Sequence, residues 1–167
     1  DESTIKEYLG HKFINAKPNV HKESYMKPLY KDSKYCASCH DETSPVTNKQ
    51  IVSTFKEWEA SPYNNKEDKT KNKSCIDCHM TYLQDDKFEP LKGVSTDGGV
   101  VKNDVKVHYF AGSNHFLAGL KDKKNEEQIL QLLRTSAKLD VNIEANKLLV
   151  GVQNVGAGHH LPTGVSD

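Results

Sequence analysis

The chain lacks three features that would assign it quickly to a common class. It has no run approaching the roughly 18 apolar residues of a membrane-spanning helix, so we expect no membrane span. Its 23 basic and 23 acidic residues balance, so net charge gives no reason to expect a nucleic-acid partner. It opens on the polar stretch DESTIKEY without a hydrophobic leader, and we expect that an export signal has been removed.

Apolar side chains are also scarce. Only 35% of the 167 residues are hydrophobic, 28% are charged, and the mean hydropathy is −0.73. That is a thin supply for the core of one domain, yet four cysteines, eight histidines and seven tyrosines are not typical of a disordered chain. The composition therefore predicts that something other than side chains fills part of the interior.

All four cysteines lie in two copies of one pattern, CxxCH. The copies are Cys36-Ala-Ser-Cys39-His40 and Cys75-Ile-Asp-Cys78-His79. This spacing is the attachment signature of c-type haem. Two thiols on one helical turn reach the two vinyl groups of a porphyrin and form thioethers, and the next residue supplies the proximal iron ligand. The motifs predict two covalently bound haem c groups, with His40 and His79 as proximal ligands.

Three other readings of the cysteines are open. Two CxxC pairs are typical of a zinc site with four thiolates, and an exported chain can also form two disulfides. A thioredoxin-like redox site requires a βαβ context, which the sequence does not show. None of the three explains why a histidine follows both pairs, so we favour haem.

Four further stretches accompany the motifs: His21 upstream of SKYCASCH, FKEWEASPY leading into SCIDCHM, HYFAGSN at 108–114, and VQNVGAGHHLPTG at 152–164. Together they resemble the multihaem c-type cytochromes related to hydroxylamine oxidoreductase and its tetrahaem cytochrome partner. The last two look like that family's His-aromatic-Phe-x-Gly-x-Asn element and GHxxPTG loop. The likeness spans most of residues 21–167, although family members often carry more haems, and in them further strands of a β-sandwich follow the loop.

Six histidines remain as candidates for the distal side of the two irons. Gly112 constrains the backbone near His108, and Gly158 and Pro162 constrain it near His159, which suits an axial ligand. The resemblance implies His159 as the regular histidine of GHxxPTG and adds His21, because that placement recurs in the family. The distal candidates are His108, His159, His21 and His115, with His160 and His11 ranked below them.

The hydrophobic pattern predicts a mainly α and irregular fold, organised around two haems, with a small C-terminal β element. Helices are expected over 51–60 and over 125–139, the second capped by Asn125. Alternating apolar residues from Val141 to Val152 predict a hairpin or part of a sandwich. We therefore divide the chain into a dihaem cytochrome c domain, 1–140, and a β element with the GHHLPTG loop, 141–167.

These features favour an electron carrier over an enzyme. Bis-histidine, low-spin haems leave no open iron site, and electrons would pass between redox partner proteins. Two alternatives are open: a haem enzyme or enzyme subunit that reduces a small nitrogen or sulfur oxyanion or peroxide, and an assembly or sensor module. In the last, another cytochrome chain completes the β element or supplies a haem ligand. Thioether attachment implies a periplasmic or extracellular protein.

Overall fold

The computed structural model describes residues 27–94 and 101–164. The described part contains five α-helices, one 3-10 helix and three two-stranded antiparallel sheets. In chain order the elements are the 3-10 helix Pro28–Lys31, α1 Ser33–His40, β1 Glu42–Thr43, β2 Gln50–Val52, α2 Thr54–Glu59, α3 Cys75–His79, β3 Leu83–Gln84, β4 Lys87–Phe88, α4 His115–Gly119, α5 Lys123–Ser136, β5 Ala137–Glu144 and β6 Lys147–Asn154. The architecture is thus mixed α and β.

Each CxxCH motif occupies a short helix with a polar cap. The Asp32 side chain accepts a hydrogen bond of 2.9 Å from the backbone N–H of Lys34 and begins α1. Asp77 accepts from the backbone N–H and the hydroxyl of Ser74, at 2.9 and 2.8 Å, and so stabilises the first turn of α3. The expected helical turn is confirmed at both motifs.

The helix expected over 51–60 begins later than predicted. Ile51 and Val52 belong to β2, where Val52 pairs with Glu42 of β1 and is 7% exposed. β-Branched side chains suit a paired strand better than a first helical turn. Helix α2 therefore begins at Thr54 and carries Phe55 and Trp58, whose rings lie 5.6 Å apart.

The longest helix, α5, begins at Lys123 rather than at Asn125. Its cap is Asp122, whose carboxylate accepts from the N–H of Lys124 at 2.9 Å. Two of its apolar residues pack as a core: Ile129 is fully buried and, with Leu132, joins Leu83 and Ala111 in one cluster. Helix α5 ends at Ser136, and β5 follows directly at Ala137.

A glutamine joins α5 to the strand that follows the second motif. The buried amide of Gln128 accepts from the N–H of Leu83 and donates to its carbonyl, both at 2.7 Å. Gln131 accepts from the N–H of Asp86 at 3.1 Å, in the turn between β3 and β4. Gln128 takes the place of a neighbouring strand for Leu83 of β3. Both glutamines attach α5 to the β3–β4 segment, which follows the second motif.

The predicted hairpin is confirmed, although it begins four residues earlier than expected. Ala137 pairs with Asn154 and Glu144 with Lys147, around a turn in which Ala145 and Asn146 have φ of 45° and 66°. These angles are typical of a type I′ hairpin turn. One face of the hairpin is entirely apolar through three cross-strand pairs: Leu139–Val152, Val141–Val150 and Ile143–Leu148. All six side chains are 57–73% exposed.

Two further segments, one charged and one rich in glycine, lie between these elements. The charged stretch 66–73 forms neither helix nor strand. Gly93 forms a β-bridge with Lys102. It is the first residue of the stretch GVSTDGG, 93–99, whose composition is typical of turns and which lies mostly outside the described residues. No helix within the described ranges is long and apolar enough to cross a bilayer.

Candidate functional site

The two motif helices lie against each other. The backbone N–H of Cys75 donates to the hydroxyl of buried Ser33 at 3.2 Å, which joins the start of α3 to the start of α1 across 42 residues. Burial, together with neighbouring Cys75, raises the pKa of the Cys36 thiol to about 11. The first cysteines of the two motifs are therefore neighbours, and all four cysteines are free thiols.

The second motif presents its histidine in a defined tautomer. The Nδ1 atom of His79 lies 2.5 Å from the carbonyl oxygen of Ala111. A carbonyl only accepts, so Nδ1 carries the proton, and in the neutral ring Nε2 keeps its lone pair. Burial lowers the pKa of His79, and the neighbouring imidazoles of His159 and His40 add to the effect. The ring is thus neutral near pH 7, as a metal ligand must be.

The closing GHHLPTG loop brings a second imidazole to this point. The ring centres of His79 and His159 lie 6.1 Å apart, and the ring planes differ by 14°. The Nδ1 atom of His159 lies 2.8 Å from the carbonyl oxygen of His160 and donates to it. Both rings therefore use Nδ1 for a backbone carbonyl, which leaves both Nε2 atoms available to a metal.

This separation fits two ligands on opposite sides of one iron. An imidazole nitrogen lies ~1.1 Å from its ring centre, so metal–nitrogen bonds of about 2.0 Å place two ring centres about 6.2 Å apart. The distance between the centres of His79 and His159 is 6.1 Å. Carbonyl partners on the outer nitrogens are also the usual environment of metal-bound histidine. The donor set therefore fits a bis-histidine haem at the second motif.

The carboxylate of Glu57, on α2, anchors the GHHLPTG loop through hydrogen bonds. Oε2 of Glu57 accepts from the backbone N–H of His160 at 3.0 Å and from the hydroxyl of Thr163 at 2.6 Å. Oε1 of Glu57 accepts from the hydroxyl of Ser53 at 2.7 Å. Burial raises the pKa of Glu57, but the bonds from Thr163, Ser53 and His160 outweigh it and hold the pKa below its ordinary value. Glu57 is therefore an ionised anchor for the loop.

A second polar side chain holds the loop from the hairpin. The amide of Asn154, the last residue of β6, donates to the carbonyl of His159 at 2.7 Å and accepts from the N–H of Ala157 at 2.9 Å. The peptide between His159 and His160 is consequently bonded at both ends: Asn154 holds its carbonyl and Glu57 holds its N–H.

Trp58 and Ser61, both in the stretch FKEWEASPY, belong to the surface on which the GHHLPTG loop packs. The indole N–H of Trp58 donates to the carbonyl of Lys73 at 2.8 Å, and the hydroxyl of Ser61 donates to the carbonyl of Trp58 at 2.7 Å. A Cβ atom on Gly158 would lie 3.0 Å from the ring of Tyr63 and 3.1 Å from that of Trp58. Glycine precedes His159 because the loop backbone lies directly on these two rings.

Of the other predicted ligands, the described His108 and His115 make no ring contact with this pair, whereas His40 of the first motif neighbours His79. His108 is exposed in a turn, with its ring 5.9 Å from that of Phe110, and His115 is exposed at the start of α4. His40 is exposed at the end of α1, and His21 lies outside the described residues. Among ring contacts in the described part of the chain, His79–His159 is the one that joins two histidines.

His160 has a different position from its neighbour. Its side chain is 80% exposed, and its Nδ1 atom lies 3.3 Å from Oε1 of Glu57. It thus contributes its backbone to the loop and leaves its ring at the surface.

Sequence reasoning missed three groups that build the site: Glu57, Asn154 and the carbonyl of Ala111. Glu57 lies inside FKEWEASPY, Ala111 inside HYFAGSN and Asn154 inside VQNVGAGHHLPTG, so three stretches of the resemblance contain these groups without singling them out. The sequence predicts His108 of HYFAGSN as a ligand, but this stretch contacts His79 through the carbonyl of Ala111.

The described residues contain no cluster of three or more His, Cys, Asp or Glu side chains placed to hold a bare metal ion. No protein-family model, curated protein or solved structure matches the chain.

Proposed function

We propose that this chain is a dihaem c-type cytochrome that transfers electrons between redox partner proteins outside the cytoplasmic membrane. The observation that carries the proposal is the pair His79–His159, two nearly parallel imidazoles 6.1 Å apart beside a CxxCH turn. Haem supplies a one-electron couple whose potential depends on its axial ligands and their hydrogen bonds.

The chain's own residues perform three tasks in this proposal. Cys36, Cys39, Cys75 and Cys78 provide thiols for covalent attachment. Hydrogen bonds to the carbonyls of Ala111 and His160 orient the imidazoles of His79 and His159 and raise the basicity of their Nε2 atoms. Two imidazole ligands on one iron exclude water and substrate, which favours electron transfer over catalysis.

Contact between the motifs supports electron exchange within the chain. Ser33 on α1 bonds to the backbone of Cys75 on α3, and Cys36 neighbours Cys75. Groups attached at adjacent helices would be held at a fixed separation, which would favour electron exchange between the two motifs. His40 would hold the first iron on its proximal side, and His108, His115 and His21 remain the predicted candidates for the distal side.

The ligand assignment is tested by His159→Ala with His160→Ala as the matched control. Wild-type protein from periplasmic expression should contain two covalent haems and give a low-spin ferric spectrum. In His159→Ala we expect one of the two irons to become high-spin and to bind cyanide, whereas His160→Ala should match the wild type. If His159→Ala keeps the wild-type spin state and cyanide response, His159 is not a ligand.

A second candidate function is an assembly module for a larger cytochrome complex. The apolar face of the β5–β6 hairpin supports it, since all six of its side chains are 57–73% exposed. A patch of this kind on a soluble surface marks an interaction site, and a two-stranded hairpin is marginally stable alone. The partner would be another cytochrome chain with an apolar β layer. A strictly monomeric protein in sedimentation with its redox partners present would count against this function.

A further inference from the structure

The loop that carries His159 is held by a polar frame on two different elements. Glu57 on α2 accepts from the N–H of His160, and Asn154 at the end of β6 donates to the carbonyl of His159. These are the two ends of one peptide group. We propose that Glu57 and Asn154 are positioning residues that clamp this peptide and thereby set the plane of the His159 imidazole against that of His79. The inference rests on the proposed ligation of iron by His159.

The clamp acts where the ring orientation is determined. Fixing the peptide plane after His159 restricts ψ of that residue, which leaves χ1 and χ2 as the free torsions of the ring. The bond from Nδ1 to the carbonyl of His160, 2.8 Å long, then closes a short cycle that restricts those torsions. The ring is thus oriented by the carbonyl of His160, which directly follows the peptide that Glu57 and Asn154 hold, and the planes of His79 and His159 differ by 14°.

Glu57 is suited to this role because it accepts several bonds at once. Its carboxylate is 12% exposed and receives the hydroxyls of Ser53 and Thr163 and the N–H of His160. A glutamine in its place has one acceptor oxygen, and its amide group would confront a donor of the loop. Thr163 also lies 2.9 Å from the hydroxyl of Thr54, so the frame reaches the loop beyond the ligand.

The first test uses Glu57→Gln with Glu59→Gln as control. Glu59 lies two residues away on the same helix, is exposed, and loses the same charge on substitution. In Glu57→Gln both irons should stay low-spin. We expect the electron paramagnetic resonance g values of one haem to shift, because they report the angle between the two imidazole planes. Replacement of His159 by cyanide should accelerate about tenfold, the equivalent of about 1.4 kcal/mol. Glu59→Gln should match the wild type in both measurements.

The second test removes the other half of the clamp. Asn154→Asp is isosteric and keeps the acceptor for the N–H of Ala157, but it loses the donor to the carbonyl of His159. Gln153→Glu, the neighbouring exposed residue, is the control for added charge. The same haem should show shifted g values in Asn154→Asp and not in Gln153→Glu. This variant also decides the matter if Glu57→Gln does not fold.

The outcomes separate the clamp from the ligand assignment. If His159→Ala leaves both irons unchanged, the proposed ligation is wrong. If His159→Ala opens one iron while Glu57→Gln and Asn154→Asp keep wild-type g values and cyanide kinetics, the ligation stands and the clamp is overturned.

Discussion

Gly158→Ala tests whether the ligand loop is seated as closely as the structure indicates. The added Cβ would lie 3.0 Å from Cδ2 of Tyr63 and 3.1 Å from Cδ1 of Trp58. Carbon atoms in favourable contact are about 3.5–4.0 Å apart, so both contacts are short by roughly 0.4 Å or more. Trp58 cannot withdraw freely, because its indole N–H is bonded to the carbonyl of Lys73 at 2.8 Å. The loop must therefore move outwards.

The magnitude follows from two opposing terms. Overpacking of this kind costs about 1–3 kcal/mol. Replacing glycine by alanine also restricts the unfolded chain and stabilises the protein by about 0.4–1 kcal/mol. Among the described glycines, Gly164 is the one in the left-handed region, with φ of 76°. Gly158 lies outside that region, so alanine at this position adds no backbone strain. We expect Gly158→Ala to lower the free energy of unfolding by about 1–2 kcal/mol.

Gly112→Ala is the matched control, since the nearest atom to its added Cβ is 3.8 Å away. It should be neutral or slightly stabilising. Urea denaturation followed by far-ultraviolet circular dichroism measures the difference, and cyanide binding reports the position of His159. If Gly158→Ala is as stable as Gly112→Ala and binds cyanide at the wild-type rate, the loop does not rest on Trp58 and Tyr63.

Three further predictions address the framework, the anchor and the hairpin. Gln128→Leu should lower the free energy of unfolding by about 2–4 kcal/mol in urea, because it leaves the buried N–H and C=O of Leu83 without partners; an unchanged midpoint would contradict this pairing. The folded pKa of Glu57 lies below its ordinary value of 4.5, so its contribution to loop attachment is complete above that value and is lost as pH falls through the folded pKa. An acid titration of the low-spin band should show a step there, which Glu57→Gln removes. Ile143 lies on the exposed apolar face at 73% exposure, so Ile143→Lys should change the free energy of unfolding by less than about 0.5 kcal/mol while reducing association with the partner cytochrome chain in sedimentation; a large loss of stability would show that this face is packed.

Local patterns in the sequence predicted the parts of the fold that depend on neighbouring residues. The CxxCH spacing predicted the helical turns of both motifs, and the apolar alternation from Val141 to Val152 predicted the hairpin, although its turn lies at Ala145 and Asn146 rather than at Asn146 and Lys147. Element boundaries were less accurate, because Ile51 suits either a strand or a helix until its partner in β1 is known. Likewise, both Asp122 and Asn125 are suitable caps, and the backbone of α5 selects the first.

The candidate site was only partly predictable, because it depends on contacts between distant segments. His159 was a candidate from its Gly-Pro surroundings, but its pairing with His79 requires the fold. Glu57 is one of several carboxylates on polar helix surfaces, and its contacts lie 103 and 106 residues away. No local rule selects it. The stretches that carry the resemblance contain Glu57 and Ala111, but the resemblance assigns no task to either residue.

The long sequence separation between the loop and the residues that hold it has a consequence for the order in which the chain folds. Thr54 and Glu57 meet residues that are synthesised 103–109 positions later. Both CxxCH turns are therefore part of the growing chain well before His159 is made. Closing so long a loop is slow compared with forming a local helical turn. Under the proposed function, covalent attachment at the second motif would thus have an interval for completion before the loop covers His79.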